Sequence, residues 1–243
     1  MLVETDQGTW SVSPESARRQ AMRLRAVFEG STGSVPITRL LTMAFAPGVM
    51  LGSSHPDRPH RGVPTNLGLL TSRDGGRTWG SKSLFGKADL HLLQPTAKGL
   101  WALDVARSCL AITNDFGTTW ACKRLPGIIT AIAVDPHDST HGVAVTDHGL
   151  LETRNAGSSW RPAAFGDADA VTWAPDGTLY GASRGSVRRA RGGAGASETV
   201  GELDGPIVAL GSGGATLWAL TKSGVLSRSS DRGHTWVGWA KLR

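Results

Sequence analysis

The chain has 243 residues, among them 32 glycines and 9 tryptophans but only one tyrosine. This length supports a sizeable core, and many all-β folds of this size form one domain. The net charge of +6 favours an acidic partner or simply solubility, and it carries no information on the fold. No run approaches the roughly 18 apolar residues of a membrane-spanning helix, and the N-terminus lacks a basic segment followed by an apolar one. A cytoplasmic protein without a membrane span is therefore expected.

The first 34 residues allow two interpretations. A Ser-Pro-Glu string at 13–15 is typical of a helix start, with serine as the cap and proline at the first helical position. Alternation of Leu24, Ala26 and Phe28 instead predicts a strand over residues 23–29. Residues 1–34 form either a reduced blade or an appendage to the repeats that follow.

An eight-residue pattern, S/T-x-D/N-x-G-x-S/T-W, recurs along the chain and is called the box below. Its four copies are Ser72–Trp79, Thr113–Trp120, Thr153–Trp160 and Ser229–Trp236. The tryptophans are separated by 41, 40 and 76 residues, and the last interval is nearly two periods. A degenerate box is therefore expected near residue 196, with Gly193 at the glycine position and Arg189 and Arg191 replacing the hydroxyl residue and the aspartate.

Three short apolar runs precede each box. In the second repeat they are Leu90–Leu93, Leu100–Leu103 and Leu110–Ile112, and the box tryptophan begins a fourth run. Four strands in about 40 residues are the pattern of a propeller blade. The sequence thus predicts a single all-β domain over 1–243, a β-propeller with five clear four-stranded blades over 35–243. Residues 1–34 would add a reduced sixth blade, although a five-bladed ring is an open alternative.

Each recurring residue type within the four boxes can be given a structural role. Its aspartate or asparagine accepts hydrogen bonds from the backbone of its own turn, its glycine supplies positive φ, and its tryptophan covers the turn. We therefore assign structural roles to one acidic or amide residue and one tryptophan per box: Asp74, Trp79, Asp115, Trp120, Asn155, Trp160, Asp231 and Trp236.

The strings SRDGGRTW, TNDFGTTW, TRNAGSSW and SSDRGHTW resemble the Asp-box (BNR) repeat of the sialidase-like propeller superfamily, over residues 35–243. This superfamily includes sialidases, other glycoside hydrolases, sortilin-type receptors and propellers similar to photosystem II assembly factors. The resemblance implies a fold, and it does not choose among these functions.

Sialidase chemistry is not supported by the residues present. The resemblance would require a tyrosine nucleophile, but Tyr180, the single tyrosine, falls in the repeat where Trp101, Val143 and Trp218 fall, which is a packing position. The Arg-Ile-Pro segment of that family is also missing. Another glycosidase would need two carboxylates, and the loop candidates are Asp57, Asp89, Asp104, Asp147, Asp169 and Asp204. No pair among them stands out, so a non-catalytic protein is the preferred interpretation.

Two histidine-containing strings, 55–60 and 135–141, have spacings similar to those of metal ligands. The second lies in a short loop between strands, where Asp-Pro turns are common. The first belongs to an insertion, Ser53–Asn66, that is rich in arginine and lacks cysteine, so zinc is not favoured. Neither a metal nor a cofactor is predicted.

The loops after the second strand of each blade each carry a basic group. In Asp-box propellers these loops open on the face away from the boxes, where ligands usually bind. The predicted ligand-binding residues are Arg58, His60, Arg61, Arg107, His148, Arg184 and Lys222. Such a ring would attract an acidic protein surface or an anionic small molecule or glycan. The predicted function is a binding or scaffold propeller, and the alternative is a glycoside hydrolase with a carboxylate pair on the same face.

A basic cluster, Arg184 with Arg188, Arg189 and Arg191, overlaps the degenerate box. Few aromatic residues lie nearby for base stacking, so nucleic acid is not favoured as a ligand.

Cys109 and Cys122 lie on neighbouring predicted strands, where a cross-strand disulfide can form if the register permits it. Two free thiols in a reducing cytoplasm are the preferred interpretation.

Overall fold

The computed structural model describes residues 2–5, 8–12, 19–21, 24–27, 34–46 and 48–242. Every regular element within these ranges is a β-strand, which confirms the predicted all-β class. The predicted helix start at 13–15 lies outside the described residues. Within them, no helix has the length and apolar character required to cross a membrane.

The chain divides into two compact units, Met1–Arg124 and Leu125–Arg243. Strands of the first unit are β1 (Leu2–Thr5), β2 (Gly8–Val12), β3 (Arg19–Ala21), β4 (Leu24–Val27), β5 (Ser34–Ala46), β6 (Val49–Pro56), β7 (Leu69–Ser72), β8 (Thr78–Ser83), β9 (Leu90–Pro95), β10 (Leu100–Asp104), β11 (Cys109–Thr113) and β12 (Ala121–Arg124). Strands of the second unit are β13 (Ile129–Val134), β14 (Gly142–Thr146), β15 (Gly149–Thr153), β16 (Arg161–Pro162), β17 (Ala170–Trp173), β18 (Thr178–Ser183), β19 (Ser186–Arg191), β20 (Glu198–Glu202), β21 (Ile207–Gly213), β22 (Thr216–Thr221), β23 (Val225–Ser229) and β24 (Val237–Lys241).

The second unit consists of three antiparallel sheets, β13–β16, β17–β20 and β21–β24, each with its strands in sequence order. The first strands of successive sheets pack against each other, β13 on β17 and β17 on β21. Apolar side chains from neighbouring sheets, such as Val143 with Trp173 and Tyr180 with Leu217, share one buried cluster at each junction. This is the arrangement of consecutive propeller blades, because each sheet buries its apolar face against the next one.

The first unit contains one further blade of the same kind, β9–β12. The first of the five predicted blades is different. Its strands β5–β8 join β4, which pairs antiparallel with β5 and parallel with β8, and the five strands form a closed sheet. Leu24 and Ala26 of β4 are buried in one cluster with Leu40 and Trp79, so burial of this apolar face explains the closure.

The described residues therefore contain four regular four-stranded blades, and the expectation of five or six blades is wrong. The strand predicted over 23–29 is confirmed as β4, but it completes the neighbouring sheet instead of starting a blade of its own. The described residues before β4 form a separate three-stranded sheet, β1–β3.

Cys109 and Cys122 form a disulfide with a Cα–Cα distance of 5.6 Å, so the preferred interpretation of two free thiols is wrong. The reason is the register of β11 and β12. Cys109 lies opposite Arg124 and Ala111 lies opposite Cys122, which places the two cysteines diagonally across the strand pair. The separation falls within the range that a disulfide can span.

We expect the substitution Cys122→Ala to lower the free energy of unfolding by about 3 kcal/mol, because the bond closes a loop with a sequence separation of 13 residues. Cys122 is exposed, so its packing contributes little to this loss. Urea denaturation measures the change. A reducing agent should bring the wild-type protein to the same stability and leave the variant unaffected. Two reactive thiols in the unfolded but unreduced wild-type protein would contradict the assignment.

Candidate functional site

The box turns are closed by a fixed set of hydrogen bonds. In the second box, the Thr113 hydroxyl donates to Asp115 Oδ1 at 2.6 Å, and the Gly117 amide donates to Thr113 Oγ1 at 2.9 Å. The amides of Thr118 and Thr119 donate to Asp115 Oδ1 at 2.9 and 2.8 Å. Each of these polar groups is thereby satisfied within the turn, as turn-forming aspartates allow.

The bond from the hydroxyl residue, the bond from the glycine amide and the bond from the amide before the tryptophan recur around Asp74 and Asp231. They also recur around Asn155, with an amide in place of the carboxylate. Asn155 Oδ1 accepts the Ser159 amide at 2.9 Å, and Asn155 Nδ2 donates to the Ser159 hydroxyl at 2.8 Å. Partial burial raises the pKa of Asp74, but hydrogen bonds, chiefly from Thr78, outweigh it and bring the pKa to about 2. The carboxylate form is therefore the one that closes the turn.

The degenerate box lacks this chemistry. Its predicted register is wrong by one residue. Ala190, and not Arg189, lies opposite Leu179, which is the position that Thr113 occupies opposite Leu100 in the β9–β12 blade. Gly192 and Gly193 form the turn with φ of +70° and +123°. Two glycines thus replace the hydrogen-bonded clip, because they adopt positive φ without the strain of a side chain.

The strand order defines two ends of each blade in the second unit. The third strand of a blade begins at a short turn and ends at a box, so the two kinds of turn lie at opposite ends. We call the end with the short turns 146–149, 183–186 and 221–225 the turn face, and the end with the boxes the box face. His148, Arg184 and Lys222 lie in these three short turns, Arg184 and Lys222 directly after the second strand and His148 one position later.

In the first unit, Arg107 lies in the corresponding β10–β11 turn, where its Nε contacts the carboxylate of the buried Asp104. His60 Nε2 lies 2.9 Å from Asp57 Oδ1 in the loop after β6. Arg58 and Arg61 are exposed in that same loop. Both Arg107 and His60 therefore have a carboxylate partner, which offsets part of the predicted positive charge.

A groove of about 450 Å³ opens on the turn face between the blades β13–β16 and β17–β20, and we call it the turn-face groove. Its polar lining comes from three aspartates, one arginine and three hydroxyl residues: Asp147, Asp167, Asp169, Arg184, Thr130, Thr146 and Ser183. Ile128, Val145 and Ala168 supply the apolar part of the wall. The groove is thus mixed in charge, with more carboxylates than cations.

Two of these carboxylates also position the backbone. Asp147 Oδ1 accepts the Ile128 amide at 2.8 Å. Asp169 Oδ2 accepts the Ser183 hydroxyl at 3.0 Å and the Arg184 amide at 3.2 Å. Each carboxylate therefore ties the residue before the first strand of its blade to the turn that follows the second strand of the same blade. Asp167, which sequence reasoning missed because it precedes a predicted strand without a motif, is exposed in the groove.

Tyr180 is 2% exposed in β18 and lies opposite Arg189, as Trp101 lies opposite Ile112 in another blade. This confirms the predicted packing position. Burial raises the pKa of the Tyr180 hydroxyl, and the nearby Asp176 carboxylate raises it further. A tyrosine that stays protonated is a poor nucleophile, so this position does not support sialidase-like chemistry.

The histidine of the second string, His141, links neighbouring strands. It is buried, with Nε2 2.8 Å from Glu152 Oε1 and Nδ1 3.2 Å from Asp135 Oδ2. Arg154 and Arg161 also contact the Glu152 carboxylate, at 2.9 and 3.0 Å. No sequence pattern predicts this network, because it depends on strand pairing. Within the described ranges, no three His, Cys, Asp or Glu side chains are placed to hold a metal ion.

No family model matches the chain, and no curated protein does. Several solved structures are similar to the chain. YCF48 bound to D1 peptide is similar at 18% identity with a TM-score of 0.51, over 83% of this chain and 67% of that one. The GH74 xyloglucanase from Xanthomonas campestris is similar at 23% identity with a TM-score of 0.56, over 83% of this chain and 32% of that one. A chain of the nidogen/laminin complex is similar at 12% identity with a TM-score of 0.61, over 93% and 87%.

At these identities the likeness is one of fold, and it agrees with the four-stranded sheets: the chain is a β-propeller. It spans about a third of the length of the GH74 enzyme that it matches. Propellers carry many unrelated functions, so the activity has to be argued from the site.

The substitution Asp74→Asn should reduce the acid sensitivity of the fold. The pKa of Asp74 is about 2 in the folded protein, below its ordinary value of 3.8. Its stabilisation is therefore present above about pH 4 and is lost as the pH falls toward 2. We expect the melting temperature of the wild type to fall more steeply than that of the variant across this window. Near pH 7 the two should be similar, because Asn155 closes the same turn with an amide.

Circular dichroism melts at a series of pH values provide the measurement. Asp167→Asn is the matched control, since it removes an exposed carboxyl group outside the boxes. The fall in the melting temperature of this variant at acid pH should be the same as that of the wild type. Parallel pH profiles for Asp74→Asn and the wild type would show that this turn does not depend on the ionised carboxylate.

Proposed function

We propose that the protein is a non-catalytic binding or scaffold propeller that holds a segment of a partner protein in the turn-face groove. The observation that carries this proposal is the composition of that groove. It combines apolar side chains, hydroxyl groups and charges of both signs on rigid strands and short turns. Binding residues on short turns of a rigid scaffold are characteristic of recognition surfaces.

The apolar part of the groove suits a side chain of the partner. Ile128 is 69% exposed at the entrance, although a large aliphatic residue usually gains from burial. Val145 and Ala168 are buried in the wall behind it. An apolar side chain packed on Ile128 would remove this surface from water, which contributes roughly 25 cal/mol per Å².

The charged part suits a polypeptide better than a simple anion. Arg184 in the groove, with His148 in the adjacent turn, can bind an acidic side chain of the partner. Asp147 and Asp167 can accept hydrogen bonds from backbone amides or from a basic side chain. The acidic partner predicted from the sequence thus becomes, in this proposal, a segment that carries an acidic residue beside N–H donors.

The similarity to YCF48 bound to D1 peptide supports this proposal by analogy only, because it shows that a propeller of this kind can hold a peptide. The two sequences are 18% identical where they match, so neither the peptide nor its position is transferred.

A glycoside hydrolase is the second candidate, since three aspartates line one groove and a GH74 enzyme shares the fold. Against it, Asp147 and Asp169 each accept backbone hydrogen bonds that hold a turn. Incubation with xyloglucan and other β-glucans, followed by measurement of reducing ends, distinguishes the two candidates. Turnover that is lost in Asp167→Asn would overturn the binding proposal.

A peptide array with members that range from acidic to basic tests the binding proposal directly. We expect retention of peptides that combine an acidic residue, an apolar residue and a basic residue. Fluorescence anisotropy of the retained peptides should show about fivefold weaker binding to Arg184→Ala, because an exposed ion pair contributes up to about 1 kcal/mol.

Lys241→Ala provides the control, since Lys241 is exposed on β24 of another blade and does not line the groove, and its removal lowers the net charge equally. Binding should survive this change. If no peptide is retained, or if both variants weaken binding to the same degree, the turn-face groove is not the recognition site.

A further inference from the structure

The degenerate box leaves a second pocket, on the box face and therefore at the opposite end of the blade from the turn-face groove. It encloses about 280 Å³, and we call it the arginine pocket. Its lining includes Arg189, Arg191, Arg232, Tyr180, Asp176 and Thr178. Arg189 and Arg191 flank Ala190, which stands at the box hydroxyl position, and the function proposed above does not use these two arginines.

Three guanidinium groups line the arginine pocket, two from one strand and one from the box of the next blade. Arg189 and Arg191 are two residues apart on β19, so they project from the same side of the strand, opposite Tyr180 and Thr178 of β18. Arg232 enters from the box of the following blade, where it has φ of +63°. One pocket therefore receives cations from two neighbouring blades.

The balance of charge in the pocket is positive. Asp176 is the carboxylate in the lining, and its Oδ2 lies 3.8 Å from Arg232 Nη2, beyond hydrogen-bond distance. Glu198 lies beside the pocket and accepts a 2.8 Å bond from Arg189 Nε. Three guanidinium groups thus face two carboxylates. Arg191 and Arg232 are exposed, and a guanidinium has five N–H donors, so donors remain for a ligand.

Tyr180 supplies a neutral donor at the base of the pocket. Its ring is buried, and it lies opposite Arg189 in the strand pair. A tyrosine hydroxyl can donate its proton to an acceptor in the pocket. The surroundings of Tyr180 are therefore suited to an oxygen atom that carries negative charge.

An apolar hollow of about 380 Å³ adjoins the arginine pocket and shares Asp176, Tyr180 and Arg232 with it. Ala174, Pro175, Ala215 and Leu217 line this hollow. The two cavities together offer a cationic end and an apolar end, which is the usual layout of a small-molecule site with a few polar anchors.

We infer that the arginine pocket binds a small oxyanion attached to an apolar group, such as an aromatic phosphate or carboxylate. Arg191 and Arg232 bind the oxyanion, the Tyr180 hydroxyl donates a third hydrogen bond, and the apolar group packs on Pro175 and Leu217. Planar guanidinium groups match the oxygen spacing of both phosphates and carboxylates. Loss of the box aspartate is explained by this role, since a carboxylate in that turn would repel the ligand.

Isothermal titration calorimetry of the full chain with phenyl phosphate, benzoate and inorganic phosphate tests the inference. Phenyl phosphate or benzoate should bind saturably, and whichever binds more tightly identifies the anion. Inorganic phosphate should bind more weakly, because it leaves the apolar hollow empty. Equal affinity for phenyl phosphate and inorganic phosphate would overturn the role of the hollow, and no saturable binding by any of the three would overturn the site.

Variants separate the pocket from general electrostatic attraction. Arg191→Gln and Arg232→Gln should each weaken binding about tenfold or more, because each removes a charge-assisted hydrogen bond. Tyr180→Phe keeps the packed ring and should weaken binding about fivefold. Arg228→Gln is the matched control, since Arg228 is exposed on β23 and does not line the pocket. Equal losses in Arg228→Gln and Arg191→Gln would contradict the inference, provided that circular dichroism shows all variants folded.

Discussion

The hydrogen bonds that close each box turn are the constraint on which the blades depend. A hydroxyl, a carboxylate or amide, and the backbone of the same turn satisfy one another, so the chain reverses between the third and fourth strands without help from outside the turn. The reversal places the tryptophan at the start of the outer strand, and Trp79, Trp120 and Trp236 each donate to the carbonyl of their own box glycine. Because the turn is self-contained, it can recur with different residues at its variable positions.

Because the box turns close the blade at one end, the turns at the other end can vary in sequence, and the proposed binding groove lies there. On the turn face the short turns need no common sequence, and they carry His148, Arg184 and Lys222 in three successive blades. Their neighbours Asp147 and Asp169 hold the strand starts in place while remaining part of the groove. The binding proposal rests on this combination of fixed backbone and variable side chains. Where the box chemistry is lost, at Gly192 and Gly193, the box face gains a basic pocket instead.

Much of the fold could be predicted because its signal is local and periodic. Box spacing predicts the regular blades, and the repeat register places Tyr180 in the core. The features that could not be predicted depend on pairing between distant residues. Leu24–Val27 closes the β5–β8 sheet through a parallel pairing that no short-range pattern shows. The Cys109–Cys122 bond depends on a diagonal register. A cytoplasmic location remains a prediction, and a disulfide is more typical of oxidising compartments. The basic residues of the turns were found from the repeat, but Asp167 in the groove follows no motif.

Amide hydrogen exchange tests most directly whether the box turns hold the blades. The amides of Gly76, Gly117, Gly157 and Gly233 donate to buried box hydroxyls, so they should exchange as slowly as the amides of the core strands. The turn at 192–197, which lacks the clip, should exchange much faster. If the box glycines exchange as fast as residues 192–197, the box turns open independently of the blades, and the claim that the blades depend on their closure is contradicted.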